Sequence, residues 1–164
     1  MKLLKILLLV IAATLVTPAF AEDNSSNNME IQKQKAMADK KALVSANMNM
    51  TDAKAKGFWP IYEAYQKDLA KNNDQLAALI NSYADQFKSN TLTDASAKEL
   101  LTKQWAIEES EIDLRRQYLA IASTVLPTIK AARYIHIEQK LRAALRFELA
   151  KQIPLIGDHP KEKK

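Results

Sequence analysis

The chain has no cysteine. This excludes a disulfide framework, thiolate metal sites, a thiol nucleophile and a lipid-modified cysteine at the N-terminus. Two glycines in 164 residues are too few for a phosphate-cradling loop, a dinucleotide fold or a turn-rich β-sandwich. Serine hydrolase chemistry is equally unsupported: there is no G-x-S-x-G elbow, and two histidines leave little choice of base. An enzyme is not expected, and no cofactor is implied.

Present instead is a leader. Lys2 and Lys5 precede an apolar run, Leu3-Leu4 and Ile6 to Val16, and Ala19-Phe20-Ala21 ends in small residues before Glu22. A positive start, a short apolar core and small residues at the junction describe a cleaved signal peptide over residues 1–21. The run is shorter than the about 20 apolar residues a membrane helix needs, so stable membrane insertion is not expected. The expected location is the bacterial periplasm. The formal charge of +5 drops by the leader's two lysines, and the remaining bases are interleaved with acids. That is no footprint for nucleic acid.

After a polar stretch, 22–28, expected to be disordered, the chain is patterned for helix throughout. Residues 29 to about 46 hold helix formers with a thin apolar stripe, Ile31, Ala38, Ala42, Leu43 and Ala46, and need partners to stay folded. Thr51-Asp52 opens a second helix, Thr51 as N-cap and Asp52 at the positive end of the dipole. Its seam, Tyr62, Tyr65, Leu69, Asn72, Leu76, Leu79, Tyr83 and Phe87, alternates three- and four-residue steps. Pro60 lies inside this helix and predicts a kink. Residues 89–93 read as a turn, and Thr93-Asp94 opens a third helix with a seam through Leu100, Gln104, Ile107, Glu111, Leu114, Tyr118, Ile121 and Val125. Leu101, Trp105, Ile112, Leu119 and Leu126 widen its apolar face. Pro127 breaks it, and Thr128 restarts helix after a hairpin at 126–128. The expected fold is all-α, an antiparallel bundle of three long helices plus a shorter N-terminal one. The helical domain spans 29–153, with an extended or disordered tail at 154–164.

The segments MTDAKAKGF (50–58) and LTDASAKEL (92–100) share Thr, Asp, Ala, Ala and Lys at the same positions. They are read either as an internal helical repeat or as two similar caps arising from the same capping chemistry. Glu108, Glu109, Glu111 and Asp113 cluster on the third helix, but no Glu-x-x-His pair accompanies them, so a di-metal site is not expected. Folding the hairpin about Pro127 places Glu111 opposite Arg142, Arg115 opposite Glu138, and Glu108 near Leu145 and Arg146. These charges are read as structural pairs that fix helix register. His136 stands alone as a surface residue or a lone ligand. Met29, Met37, Met48 and Met50 read either as adaptable apolar contacts or as soft copper ligands, and no metal site is assigned.

Phe58, Trp59, Tyr62, Tyr65 and Trp105 gather where the second and third helices begin. Most suit a core. Facing outward beside Met48 and Met50, the residues Phe58, Trp59 and Tyr62 form a candidate recognition surface rimmed by Lys54 and Lys56.

The leader, the missing cysteine and the two Thr-Asp-opened units resemble the Spy/CpxP-like periplasmic proteins, marked by a twice-occurring L-T-x-x-Q motif. The matching segments are Met50-Thr51-Asp52-Ala53-Lys54 and Leu92-Thr93-Asp94-Ala95-Ser96. Thr is present in both, Leu in the second and Gln in neither, as in a divergent member. The resemblance covers roughly residues 30 to 150. It implies an ATP-independent chaperone of the bacterial envelope, a homodimeric helical cradle holding unfolded or partly folded envelope proteins. The alternative implied is a stress-regulatory or metal-sensing module docking on a partner. The family's metal-binding histidines have no counterpart here.

Overall fold

The computed structural model describes residues 25–158. Among these the chain forms four helices and no strand: α1 Ser25–Met48, α2 Asp52–Ser89, α3 Asp94–Ala122 and α4 Thr128–Gln152. The all-α antiparallel bundle expected from the sequence is what forms. The expected signal peptide over residues 1–21, residues 22–24 of the polar stretch and residues 159–164 of the expected tail lie outside the described residues.

The ends of the helices follow side-chain chemistry. Thr93 makes a capping box, its Oγ1 accepting from the Ser96 amide at 3.1 Å while Ser96 Oγ accepts from the Thr93 amide at 3.0 Å. Thr51 corrects the sequence reading. It is the N-cap of α2, but its side chain makes no capping bond, and Lys54, at the position Ser96 fills in α3, has no acceptor with which to return the reciprocal bond of a capping box. α2 runs through Pro60 and ends at Asn90, whose left-handed φ of 55° lets the Asn90 amide reach Phe87 O (3.2 Å) and the Thr91 amide reach Gln86 O (3.0 Å). α3 stops at Ala122, several residues before Pro127. There the Ser123 and Thr124 hydroxyls donate to the carbonyls of Leu119 and Ile121, both at 2.8 Å, and compete with continued helix.

Cross-helix contacts give the topology. Lys41 meets Glu63 and Lys40 meets Gln66 between α1 and α2. Asp68 meets Tyr118 and Asn72 meets Ser110 between α2 and α3, and Glu108 meets Arg146 between α3 and α4. Each pair runs antiparallel. α2 and α4 therefore lie parallel, bridged by Gln66–Glu138, Asn73–Arg142 and Tyr83–Pro154.

α1 departs from expectation at both ends. It starts inside the stretch read as disordered and reaches Met48, making it only one residue shorter than α4. It has no basic residue in its own last turn. α4 supplies them: Lys130 Nζ donates to Met48 O (2.7 Å) and Arg133 Nε to Asn47 O (2.6 Å), placing cations on the negative end of the α1 dipole. Asn49, at φ 44°, then turns the chain into α2.

The main core occupies the end of the bundle where α1 joins α2 and α3 joins α4. It comprises Val44, Met48, Phe58, Tyr62, Tyr65, Tyr118, Ala122, Leu126, Ala131 and Tyr134. Its rings meet edge to face: Phe58 and Tyr134 at 4.9 Å between centroids, Tyr65 and Tyr118 at 5.2 Å, Tyr65 and Tyr134 at 5.8 Å. Such geometry adds about 0.5–1.5 kcal/mol per pair to burial. At the far end, helix gives way at Gln152, and the tail is held where Tyr83 Oη donates to Pro154 O at 3.1 Å. Leu155 and Ile156 beyond it are exposed.

Candidate functional site

The recognition surface expected around Phe58 does not exist as a surface. Met48, Phe58 and Tyr62 are buried, Met50 and Trp59 pack half-buried against the same core, and only Lys54 and Lys56 face solvent. Phe58 and Tyr62 are one turn apart on the inward seam of α2, and α1 lays Val44 and Met48 over them. Trp59 sits at the rim, with Lys41 Nζ 5.1 Å from its ring centroid.

The expected charge pairs are partly realised. Glu111 (2% exposed) and Arg142 (9% exposed) face each other across the α3/α4 seam. Arg146 bridges Glu111 at 3.0 Å and Glu108 at 2.5 Å. Arg142 Nη1 also donates to Asn73 Oδ1 at 2.7 Å. Burial, then the neighbouring Arg146, presses the Arg142 guanidinium down to about 10, so it remains charged at neutral pH. Arg115 does not pair with Glu138. It lies 4.0 Å from Glu111, one turn away on its own helix. Glu138 is claimed by Lys40 Nζ at 2.7 Å and Gln66 Nε2 at 2.9 Å. Sequence reasoning folded only the α3/α4 hairpin and so missed the cation that α1 delivers.

The tyrosines report the same burial. Desolvation raises Tyr62, Tyr65 and Tyr134 well above their ordinary value, with the Glu138 charge adding to it. Tyr118 rises to about 12, through burial first and its 2.8 Å bond to Asp68 second. Asp68 is held below the ordinary carboxylate value by bonds from Lys71 and then Tyr118.

Among the described residues no group of His, Asp and Glu side chains is placed to hold a metal ion, and His136 is exposed. A shallow groove of about 570 Å³ between α2 and α3 is lined by Gln75, Ala78, Leu79, Ser82, Lys103, Ala106, Ile107 and Ser110. Its lysine is drawn off by Glu99 at 2.6 Å, and it holds no acid–base pair. No helix among the described residues is long and apolar enough to cross a membrane.

What sequence reasoning misplaced is Trp105. It is not part of the aromatic cluster: it is 57% exposed, in line with Leu101 (38%) and Ile112 (40%). Each of the three follows a seam position by one residue, a constant phase offset that carries them off the buried face of α3. That offset was the available signal. Compared with known protein families, with curated proteins and with solved structures, the chain matches none of them.

Proposed function

We propose that this chain is an exported helical binding protein that holds apolar segments of unfolded or partly folded envelope polypeptides without nucleotide, in the manner of a holdase. One observation carries the reading: the outward stripe Leu101, Trp105 and Ile112 on α3. An indole left in water between two aliphatic side chains is the composition of a binding hot spot. A client laid along it buries apolar area with little ordering of the receptor, which is already helical there. Of the charges beside the stripe, Asp113 is paired with Arg116 at 2.9 Å and Glu108 with Arg146. Glu109, exposed one turn after Trp105, puts a carboxylate at the stripe's edge and favours clients that carry a cation beside the apolar segment. The resemblance to Spy/CpxP-like proteins supports the same role.

The test is light scattering from an unrelated aggregating protein, with and without the purified chain, repeated with a chelator. Suppression that survives chelation and falls severalfold in Trp105→Ala, with helix content unchanged, supports the reading. Absence of suppression by the parent chain sinks it and turns the search to a defined envelope partner. Equal suppression by Trp105→Ala removes the α3 stripe as the site.

A further inference from the structure

We propose that the groove between α2 and α4 is a receptor for a lysine-bearing amphipathic helix, and that α1 is its resident occupant. This rests on the reading of the chain as a polypeptide binder and names the class of polypeptide. The floor is aromatic: Phe58, Tyr62, Tyr65 and Tyr134, all buried, with Trp59 at the rim. Set into that floor is the carboxylate of Glu138, whose side chain is 2% exposed. That burial is under α1, and a carboxylate so covered is costly unless the covering helix brings a cation to it. Lys40 does so at 2.7 Å, and the same ammonium donates to Gln66 Oε1 at 2.7 Å.

The rest of the occupancy is modest. α1 seats Val44 and Met48 on the rings, one and two turns after Lys40, and Ala36 one turn before it. Residues 31–35 are all exposed, as is Met37. At the far end Lys130 and Arg133 donate to the backbone carbonyls of Met48 and Asn47 respectively, acceptors that any helix ending there presents. The groove thus reads a cation, apolar side chains four and eight residues later, and a helix C-terminus. None of these is peculiar to α1. What α1 has in addition is its tether, residues 49–51, which keeps it at high local concentration. A foreign helix therefore gains the groove only in proportion to the fraction of chains with α1 lifted.

The probe is a fluorescein-labelled synthetic peptide carrying residues 31–50 of this chain, titrated into the full chain and into Val44→Asp, which places a charge at a fully buried position. Saturable binding to Val44→Asp, at least about tenfold tighter than to the parent, is expected. A peptide with methionine replacing Lys40 binds at least about tenfold more weakly, because Glu138 is then buried with only the neutral Gln66 amide and no cation to meet its charge. If Val44→Asp loses its helix content, Lys40→Ala serves in its place, since it loosens α1 and keeps the apolar seat. A folded variant that binds no more peptide than the parent overturns the proposal, as does equal binding of the two peptides. Failure of both variants to fold makes α1 an integral strut and also overturns it. Client suppression without peptide binding overturns this inference alone, and peptide binding without suppression overturns the holdase reading alone.

Discussion

Replacing Glu111 by alanine tests whether the buried charges are structural. The carboxylate is 2% exposed and serves Arg142 and Arg146 together. Arg146 keeps Glu108 at 2.5 Å when Glu111 is gone. Arg142 keeps only the neutral Asn73 oxygen at 2.7 Å and acquires an unscreened neighbour in Arg146. It can stay charged and unpaired, which costs about 3–5 kcal/mol when one partner of a buried pair is removed. Or it can lose its proton. Burial and Arg146 already press the guanidinium down in the parent, and losing the Glu111 charge presses it further, but a guanidinium still resists neutrality at pH 7. Neither route is cheap. A loss of about 3 kcal/mol follows, eased from the upper figure by Asn73, or a Tm lower by roughly 10 °C for a chain of this size.

Urea denaturation followed by far-ultraviolet circular dichroism measures the loss. The companion variant, Glu111→Met with Arg142→Leu, removes both charges and restores packing. Its stability should equal or exceed the parent's, since apolar replacement of a buried pair is often neutral or stabilising by about 1–4 kcal/mol. A loss below about 0.5 kcal/mol in Glu111→Ala, the level of an exposed pair, would refute the reasoning. So would a double variant as unstable as the single one.

Two smaller perturbations check the helix ends and the core. Thr93→Ala should cost about 1 kcal/mol, because it dismantles a formed capping box. Thr51→Ala should stay within about 0.5 kcal/mol, because its hydroxyl caps nothing; equal losses in paired urea titrations would contradict this. All five tyrosines are raised above the ordinary value of 10. The fold therefore favours their neutral form, a contribution complete below pH 10 and lost as pH climbs through the folded values. Tyrosinate absorbance in an alkaline titration should lag the free-tyrosine curve and appear together with loss of helix. A normal curve in a chain that stays folded would show the rings to be accessible.

α2 and α3 were legible because each seam repeats at three- and four-residue steps and Thr93-Asp94 marks where α3 opens; in α1 the expected stripe of Ile31, Ala38, Ala42 and Ala46 faces solvent instead. The α3/α4 register was legible too, since one fold point at Pro127 brings Glu111 to Arg142. Three things were not. Whether an aromatic faces in or out depends on what lies opposite it, and nothing local to Phe58 or Tyr62 announces that α1 covers them. α1 carries too thin an apolar stripe to declare its seat, which is fixed by Lys40, Lys130 and Arg133 instead. A pairwise fold of α3 on α4 also cannot see a third helix, so Arg115 was given the partner that Lys40 takes.

The placement of the two buried charges on α4 explains why they are kept where leucines would pack more tightly. Glu138 and Arg142 are one turn apart, opposite in sign, and each is met from different helices. Glu138 takes Lys40 from α1 and Gln66 from α2; Arg142 takes Glu111 from α3 and Asn73 from α2. Two successive turns of α4 thereby contact all three other helices. An aromatic and aliphatic seam repeating every turn tolerates a slip of one turn, because one apolar side chain replaces another. Here a slip in one direction brings Arg142 to Lys40, and in the other it brings Glu138 to Glu111. Both set like charges against each other in a site from which water is excluded, where their repulsion is least screened. The alternation of sign penalises both neighbouring registers at once, which a single buried pair or an apolar layer does not do.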